Sequence, residues 1–377
     1  MSAIKYLIVG AGLFGAVMAE RIANDIKQDV VVVERRRHVG GNVYSEIDKR
    51  TGIEYHKYGS HIFHTSNQRV WDYINRLTHF NNYRHKVLTT YKGSVYPMPV
   101  NLETINKFYR KNFTPSQAKD FIRHQIAIDT KDKAKPDNFE DAAISKMGKS
   151  LYDAFIRGYA TKQWGMNLQL LPLDVAERLP MRYNYKTDYF DDFWQGIPVN
   201  GYTEMIQRML DSERITVKLG VDFFDIKSSI QENTFVIYSG PIDRFYNYKY
   251  GRLGWRTLRF EFEVVNVADF QGTAVMNYAD VEVPFTRIHE FRHLHDERAY
   301  NTGATIICKE YPQHWSGTEE PYYPLNTPRD QELLRKYQME ENKQVIFGGR
   351  LGSYKYLDMD DVIEQALDIY ETKVKVL

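Results

Sequence analysis

Between an apolar run at residues 6–9 and a helical pattern with Met18, Ile22 and Ile26 on one face lie Gly10, Ala11, Gly12, Leu13, Phe14 and Gly15. A second apolar run, residues 30–33, ends in Glu34, 19 residues beyond the last of these glycines. Strand, G-x-G-x-x-G turn, helix, strand and carboxylate, in that order, describe a β-α-β unit built to hold a dinucleotide. Gly10 permits the tight turn, Gly12 lets the backbone approach a pyrophosphate, and Gly15 lets helix and strand pack closely. The helix N-terminus turns unpaired N–H groups and a positive dipole end toward that pyrophosphate. Glu34 is placed to accept hydrogen bonds from a ribose diol. A turn without a ligand would use the same glycines and leave Glu34 solvated.

Arg35, Arg36 and Arg37 come next, then Gly40, Gly41 and Asn42. Three adjacent arginines usually make a solvated face. Here they stand at the carboxyl end of the second strand, where such a sheet opens to its ligand. One of them, assigned as Arg35, is expected to reach adenine or phosphate, and Gly41 and Asn42 to face a second phosphate. In residues 58–65, His61 and His64 are three apart with no acidic neighbour, which makes a poor metal site, and no metal is expected. Gly59 beside them argues for close approach of backbone to a ligand. The single cysteine, Cys308, excludes a disulfide framework or a cysteine-based metal site and reads as a buried strand residue.

The elements that position these residues follow from periodicity. Residues 68–79 repeat at helical spacing and 91–97 read as a hairpin. Residues 101–165 are mostly helical, with a capped start at Thr114-Pro115-Ser116, a polar loop at 131–137, and a helix at 151–162 that sets Phe155 and Tyr159 one turn apart. Residues 166–196 carry prolines, aromatic side chains and Arg178 and Arg182, and read as a long lid-like loop. A helix at 201–210 and strands at 214–219 and 235–240 return the chain to the parallel sheet. From 248 to 312 the pattern alternates with period two, at 258–264, 274–278, 283–288 and 305–311, as in an antiparallel sheet. A strand at 344–347, a glycine-rich turn at 348–352 and a helix at 359–375 close the chain.

At 377 residues two or three subdomains are expected, and a net charge of +1 gives no general attraction for nucleic acid or an acidic membrane. No apolar run reaches the roughly 18 residues of a membrane span, and the chain enters a strand at its sixth residue. A soluble, cytoplasmic enzyme is expected. The 28 tyrosines and 20 phenylalanines serve either as ordinary core or as a stacking site for bases and sugars.

The opening fingerprint followed by R-x-x-x-x-G-G resembles FAD-binding proteins of the glutathione-reductase and amine-oxidase type more than NAD dehydrogenases, which implies resident FAD. Seven further stretches, in order, resemble the UDP-galactopyranose mutase family, and the likeness runs from Tyr6 to about Tyr370. They are residues 58–65 (YGSHIFHT), 158–165 (GYATKQWG), 178–185 (RLPMRYNY), 250–258 (YGRLGWRTL), 283–288 (VPFTRI), 321–324 (PYYP) and 349–359 (GRLGSYKYLDM). The resemblance implies an isomerase that interconverts UDP-galactopyranose and UDP-galactofuranose with no net redox change. In it, N5 of reduced FAD forms a covalent adduct with the anomeric carbon of the sugar.

Carried over by position, Arg178 and Arg287 clamp the diphosphate, for which the planar guanidinium fork is suited. Tyr189, Tyr323 and Tyr356 offer hydroxyls to the same phosphates, Phe155 and Tyr159 lie by the uridine, and Trp164 lines the sugar pocket. Arg256 and Arg350 face the active site, Asp358 orients neighbours near it, and His64 sits against the flavin. Leu13, Phe14, His61, Ile62, Arg350, Asp358 and Met359 join the cofactor set. Arg182 and Arg252 read as surface or scaffold. Ile156 replaces a second Phe of many members, and Ser60 departs from the Pro or Ala of others. Residues 58–61 lie where a 2-substituent would go, so the N-acetylated sugar stands open as a second substrate.

The implied fold class is α/β: a discontinuous Rossmann-like FAD domain (1–80, 195–245, 340–377), a helical-bundle insertion (100–165) and an antiparallel substrate sheet (85–100, 250–340). The lid is residues 166–190, and the active site is expected where the three meet. A homodimer is expected. An FAD-dependent amine or C–H oxidase on the same fold, and a flavin-binding module without catalysis, are the competing readings. The phosphate-type arginines argue against the oxidase.

Overall fold

The computed structural model describes residues 6–130, 135–340 and 342–376. The chain forms two compact units, one from Met1–Tyr83, Asp192–Gly254 and Pro328–Leu377, the other from Arg84–Asp191 and Trp255–Thr327.

The first unit is built on a five-stranded sheet in the order Val345–Phe347, Phe235–Tyr238, Tyr6–Val9, Val30–Glu34, Ile215–Leu219. Every pairing in it is parallel. Strands of a parallel sheet are covered on both faces, so they read as continuous apolar runs such as YLIV and VVVVE. Helix Leu13–Asn24 lies on the sheet and is almost wholly buried. Gly15 makes that packing possible, because a Cβ there would meet the Gly10 carbonyl oxygen at 2.0 Å and Ile8 Cγ2 at 3.1 Å. The glycine-rich segment expected as a turn at 348–352 is a short helix, Gly349–Ser353. The closing helix runs regularly over Met359–Ile369 and widens into a π turn over Tyr370–Val374. Pro328–Gln338, placed with the substrate sheet by the sequence reading, is instead a helix of the first unit, where Asp330 accepts the Gly254 N–H at 3.0 Å.

The second unit holds a seven-stranded sheet in the order Tyr323–Pro324, Trp255–Val265, Thr305–His314, Arg287–Glu290, Val275–Tyr278, Val87–Tyr91, Ser94–Met98. It is antiparallel except where Val275–Tyr278 runs parallel to Val87–Tyr91. The exception has a topological cause. The hairpin 87–98 enters from a separate stretch of chain, with the helical insertion in between, so no tight turn dictates its direction. The insertion supplies helices Leu102–Tyr109, Pro115–Asp129 and Phe139–Met147. Thr114 and Gln117 cap the second of these reciprocally. Residues 131–134 of the expected polar loop lie outside the described residues. Ile105, Ile122, Ala143, Leu151, Tyr152 and Phe155 form the core between helices. Complete burial of a large apolar side chain of this kind contributes about 1.5–3 kcal/mol.

Two local departures bear on the site. The expected continuous helix at 151–162 is interrupted by a π turn over Tyr152–Arg157 before resuming as Gly158–Trp164. The extra residue shifts the phase between Phe155 and Tyr159, which would share a face in a regular helix. The strand expected at 283–288 begins only at Arg287. The carbonyls of Val283 and Phe285 point to Lys162 Nζ, at 3.0 Å each, rather than to a neighbouring strand.

Candidate active site

The first unit carries a backbone cradle. Gly10 has φ of +103° and Gly41 of +54°. A Cβ on Gly10 would meet Ser239 Oγ at 2.2 Å, and one on Gly41 would meet Gly12 Cα at 2.9 Å. The backbones of Gly12 and Gly41 thus pass each other closely, with no room for a side chain on Gly41. The Gly40 N–H donates to the Ala11 carbonyl at 2.8 Å and ties the two loops together. Leu13 and Phe14 open the buried helix, and Phe14 fits against Gly348 and Gly349, where a Cβ would meet its ring or its own Cβ at 2.1 and 3.2 Å. Glu34 is buried, and each of its oxygens accepts one backbone N–H, from Ala11 at 2.9 Å and Arg36 at 2.8 Å. An ionised carboxylate has about four acceptor positions, so capacity remains for a ribose diol. Among the arginines, Arg35 is exposed, whereas Arg36 turns in, donating to Asn42 Oδ1 at 3.0 Å and lying 4.5 Å from the centre of the Tyr58 ring. This cradle fits the diphosphate of FAD: glycines where side chains would fill it, a helix N-terminus beside it and a carboxylate behind.

His61 and His64 have separate surroundings. His61 Nδ1 bonds the Gly59 carbonyl at 2.7 Å and its N–H reaches His56 Nδ1 at 3.0 Å, while Ile62 between them is buried. His64 does have an acidic partner, brought from 128 residues away: its Nδ1 lies 2.7 Å from Asp192 Oδ2, and Asp192 Oδ1 accepts the Ser66 hydroxyl at 2.7 Å. Strand pairing of Phe63–Thr65 with Trp194–Gly196 delivers that aspartate, which local spacing could not reveal. Arg350 donates to the Leu357 carbonyl at 2.6 Å and stands over the Tyr356 ring. Asp358 is the N-cap of the helix that begins at Met359, in a capping box with Asp361.

In the second unit, Arg287 is the centre. Strand register sets it directly opposite Glu310, and His289 opposite Cys308. Arg287 Nε lies 3.3 Å from Glu310 Oε1, and His289 Nε2 3.1 Å from Glu310 Oε2. Glu310 and His289 are almost completely buried. Burial works against the carboxylate, but Arg287 and His289 outweigh it and hold its pKa below the usual range. Burial lowers the pKa of His289, and its Nδ1 has no partner among the described residues. Arg287 Nη2 meets the Tyr159 hydroxyl, and the guanidinium carbon lies 5.6 Å from that ring's centre. The Tyr159 phenol is pushed up to about 12 by burial, so it stays protonated. Neither Glu310 nor His289 was singled out in the sequence, although alternation in the strand does place His289 on the face of Arg287.

The remaining positions are less alike. The side chain of Arg178, on the short turn Leu173–Arg178, lies outside the described residues. Phe155 is in the helical core, edge-on to the rings of Tyr91, Tyr96 and Phe108. Trp164 ends its helix half-buried. Arg256 is buried and donates to the carbonyls of Gln163 at 3.0 Å and Lys162 at 3.3 Å. Tyr323 pairs with Arg256 across strands, and Tyr189 is exposed with its N–H on the His85 carbonyl. Arg182, read as scaffold, holds the loop by donating to the Asp188 and Tyr189 carbonyls and Asp191. Cys308 is a buried strand residue. Asp269, Glu290 and His293 also bring polar atoms together, but Glu290 accepts the N–H groups of Phe270 and Gln271, which makes the group a loop staple.

Two outcomes are expected. Gly41→Val forces a branched side chain into left-handed backbone against Gly12, so the purified protein should carry less than half the flavin of wild type, read as the visible-to-ultraviolet absorbance ratio; undiminished flavin would show that the cradle is not where the diphosphate sits. For pH, both Glu310 and His289 have folded pKa values below their unfolded ones, so the unfolded chain binds more protons as pH falls. Their stabilising contribution is present above the unfolded pKa and lost below it, starting near ~6.5 for the histidine. The thermal midpoint should therefore drop between pH 7 and 5, and drop less in His289→Leu; equal drops would remove His289 from this account.

The family model described as UDP-galactopyranose mutase matches residues 154–356, and that of the NAD(P)-binding Rossmann-like domain matches 8–77. The chain is 41% identical over 363 residues to a probable UDP-galactopyranose mutase of Klebsiella pneumoniae, covering 96% of this chain and 92% of that one. It is 37% identical over 378 residues to a dTDP-fucopyranose mutase of Escherichia coli, covering 98% of each. A crystal structure of reduced UDP-galactopyranose mutase superposes with a TM-score of 0.77 over 100% of this chain and 96% of the other, at 17% identity, and shares its fold. The chain belongs to the UDP-galactopyranose mutase family.

Proposed function

We propose that this isomerase interconverts UDP-galactopyranose and UDP-galactofuranose. The observation that carries the reading is Arg287, held on a strand by a buried carboxylate and joined to the Tyr159 hydroxyl, within the stretch that matches the family. The glycine cradle and Glu34 would hold FAD, whose reduced form would supply a nucleophilic N5 for the anomeric carbon. The chain's own part is to bind and orient. When the bond from the anomeric carbon to UDP breaks, negative charge grows on the diphosphate. Arg287, with Arg178 as a second guanidinium, stabilises that charge by directed N–H donors. Tyr159, protonated near neutral pH, donates its hydroxyl beside them. The lid is residues 166–190, and UDP should protect it from limited proteolysis; cleavage at an unchanged rate under saturating UDP would remove the lid from the scheme.

A second reading of the substrate rests on the 37% identity to a dTDP-fucopyranose mutase. The decisive assay gives dithionite-reduced enzyme UDP-galactose, UDP-N-acetylgalactosamine and dTDP-fucopyranose side by side. UDP-galactose should give the highest kcat/KM, with slower turnover of its N-acetylated analogue and no net consumption of reductant. Highest turnover of dTDP-fucopyranose would favour the second reading. Failure on all three, or oxygen consumption with an amine, would overturn both. Arg287→Lys keeps the charge but loses the fork, and kcat/KM should fall about ten- to hundredfold. A loss of less than twofold would exclude a diphosphate role for Arg287.

A further inference from the structure

Lys162 stands three residues beyond Tyr159 on the helix Gly158–Trp164, so the two side chains share a face. Its Nζ lies 2.7 Å from the Tyr278 carbonyl oxygen, 2.9 Å from that of Asp280, and 3.0 Å from those of Val283 and Phe285. Four carbonyl oxygens thus converge on an ammonium that has three protons to give. The first ends the strand Val275–Tyr278, and the other three belong to its connection to Arg287–Glu290, the last of them two residues before Arg287. Backbone contact closes the same joint: a Cβ on Gly158 would meet the Ala279 carbonyl oxygen at 2.1 Å. In the reverse direction, Arg256 from the strand Trp255–Val265 donates to the carbonyls of Lys162 and Gln163 at the end of the helix. Each partner therefore gives a cation to the other's carbonyl dipoles.

We propose that Lys162 is a positioning residue for diphosphate recognition. By gathering the four carbonyls it fixes the connection against the helix, and so sets the register in which the Tyr159 hydroxyl meets Arg287 Nη2. Carbonyls drawn inward this way need a donor, and a lysine of the right reach bonds all four, that of Asp280 accepting the Val283 N–H at 3.3 Å as well. Burial pushes its ammonium down to about 8, against the pull of Asp280 and Glu282, so it remains charged at neutral pH. Lys162 and its carbonyl cage belong to the second unit and the flavin cradle to the first. The role rests on the nucleotide-sugar reading of Arg287 and Tyr159 and adds to it a residue that need not touch the ligand.

The test is a double-mutant cycle on the FAD-loaded, reduced enzyme, with UDP affinity measured by titration calorimetry and kcat and KM measured for UDP-galactose. Lys162→Met removes the ammonium and keeps the stem. It should weaken UDP about tenfold and raise KM more than it lowers kcat, with flavin content and far-UV circular dichroism unchanged. In a Tyr159→Phe background, where the Arg287 contact is already gone, the same change should weaken UDP by less than about threefold. Lys162→Gln, which returns an N–H donor end, should lie between wild type and Lys162→Met, and it carries the cycle if Lys162→Met fails to fold. An equal penalty in both backgrounds, or none in either, would overturn the positioning role while leaving the mutase reading intact. Wild-type enzyme that binds neither UDP nor dTDP would overturn the mutase reading, and this role with it.

Discussion

An ionised carboxylate with almost no solvent contact is the constraint from which the second unit is arranged. Glu310 could not stay charged there alone, since desolvation would push it toward the neutral acid. Its partners must come from the adjacent strand, because side chains directly opposite across an antiparallel pair are within reach of one another. Register supplies Arg287 opposite and His289 on the same face of that strand. The pairing of Arg287–Glu290 with Thr305–His314 is thereby fixed twice, by its hydrogen bonds and by this charge. A slip of Arg287–Glu290 by one residue would turn Arg287 and His289 to the other face and leave the carboxylate unpaired.

The first unit obeys a different constraint, the close passage of backbones. Gly10, Gly15 and Gly41 occupy places where a single methyl group would collide with a hydroxyl, a carbonyl or the Cα of Gly12. What they hold open is a surface of N–H groups at a helix N-terminus, which favours negative charge without placing a formal cation beside it. On the proposed reading the two units recognise diphosphates by different means, the one by backbone donors and dipole, the other by a guanidinium held from behind.

Much of this was legible in the chain. The β-α-β fingerprint is local, so residues 6–34 announced their own fold, and the alternating runs after 255 announced a sheet. Arg287 could be named because its stretch is shared with a family. What stayed hidden was long-range or phase-dependent. Asp192 reaches His64 only through strand pairing across 128 residues. Phe155 and Tyr159 look equivalent at helical spacing, yet one π turn sends the first into the core and the second to Arg287. The strand expected at 283–288 begins late because Lys162 draws its carbonyls away, an effect that no local β-propensity contains. The tyrosine content, ambiguous as composition, resolves in part into core: Tyr6, Tyr152, Tyr202, Tyr238, Tyr337, Tyr354 and Tyr370 are among the largest fully buried side chains.

Backing Arg287 with Glu310 has a consequence for the chemistry proposed. A carboxylate 3.3 Å from the guanidinium cancels much of its long-range field. A bare arginine would draw a diphosphate more strongly, but it would have many rotamers and would hold the departing nucleotide as tightly as the bound substrate. The paired arginine recognises phosphate oxygens chiefly through N–H groups of fixed direction, and their benefit depends on geometry more than on net charge. A reversible isomerisation needs this, because the same nucleotide must leave the anomeric carbon, wait, and return to it. Pre-oriented donors stabilise charge as it develops and require no reorganisation when it is withdrawn. The buried carboxylate therefore gives up electrostatic strength for orientation, and the strand register that keeps it ionised is part of the catalytic design.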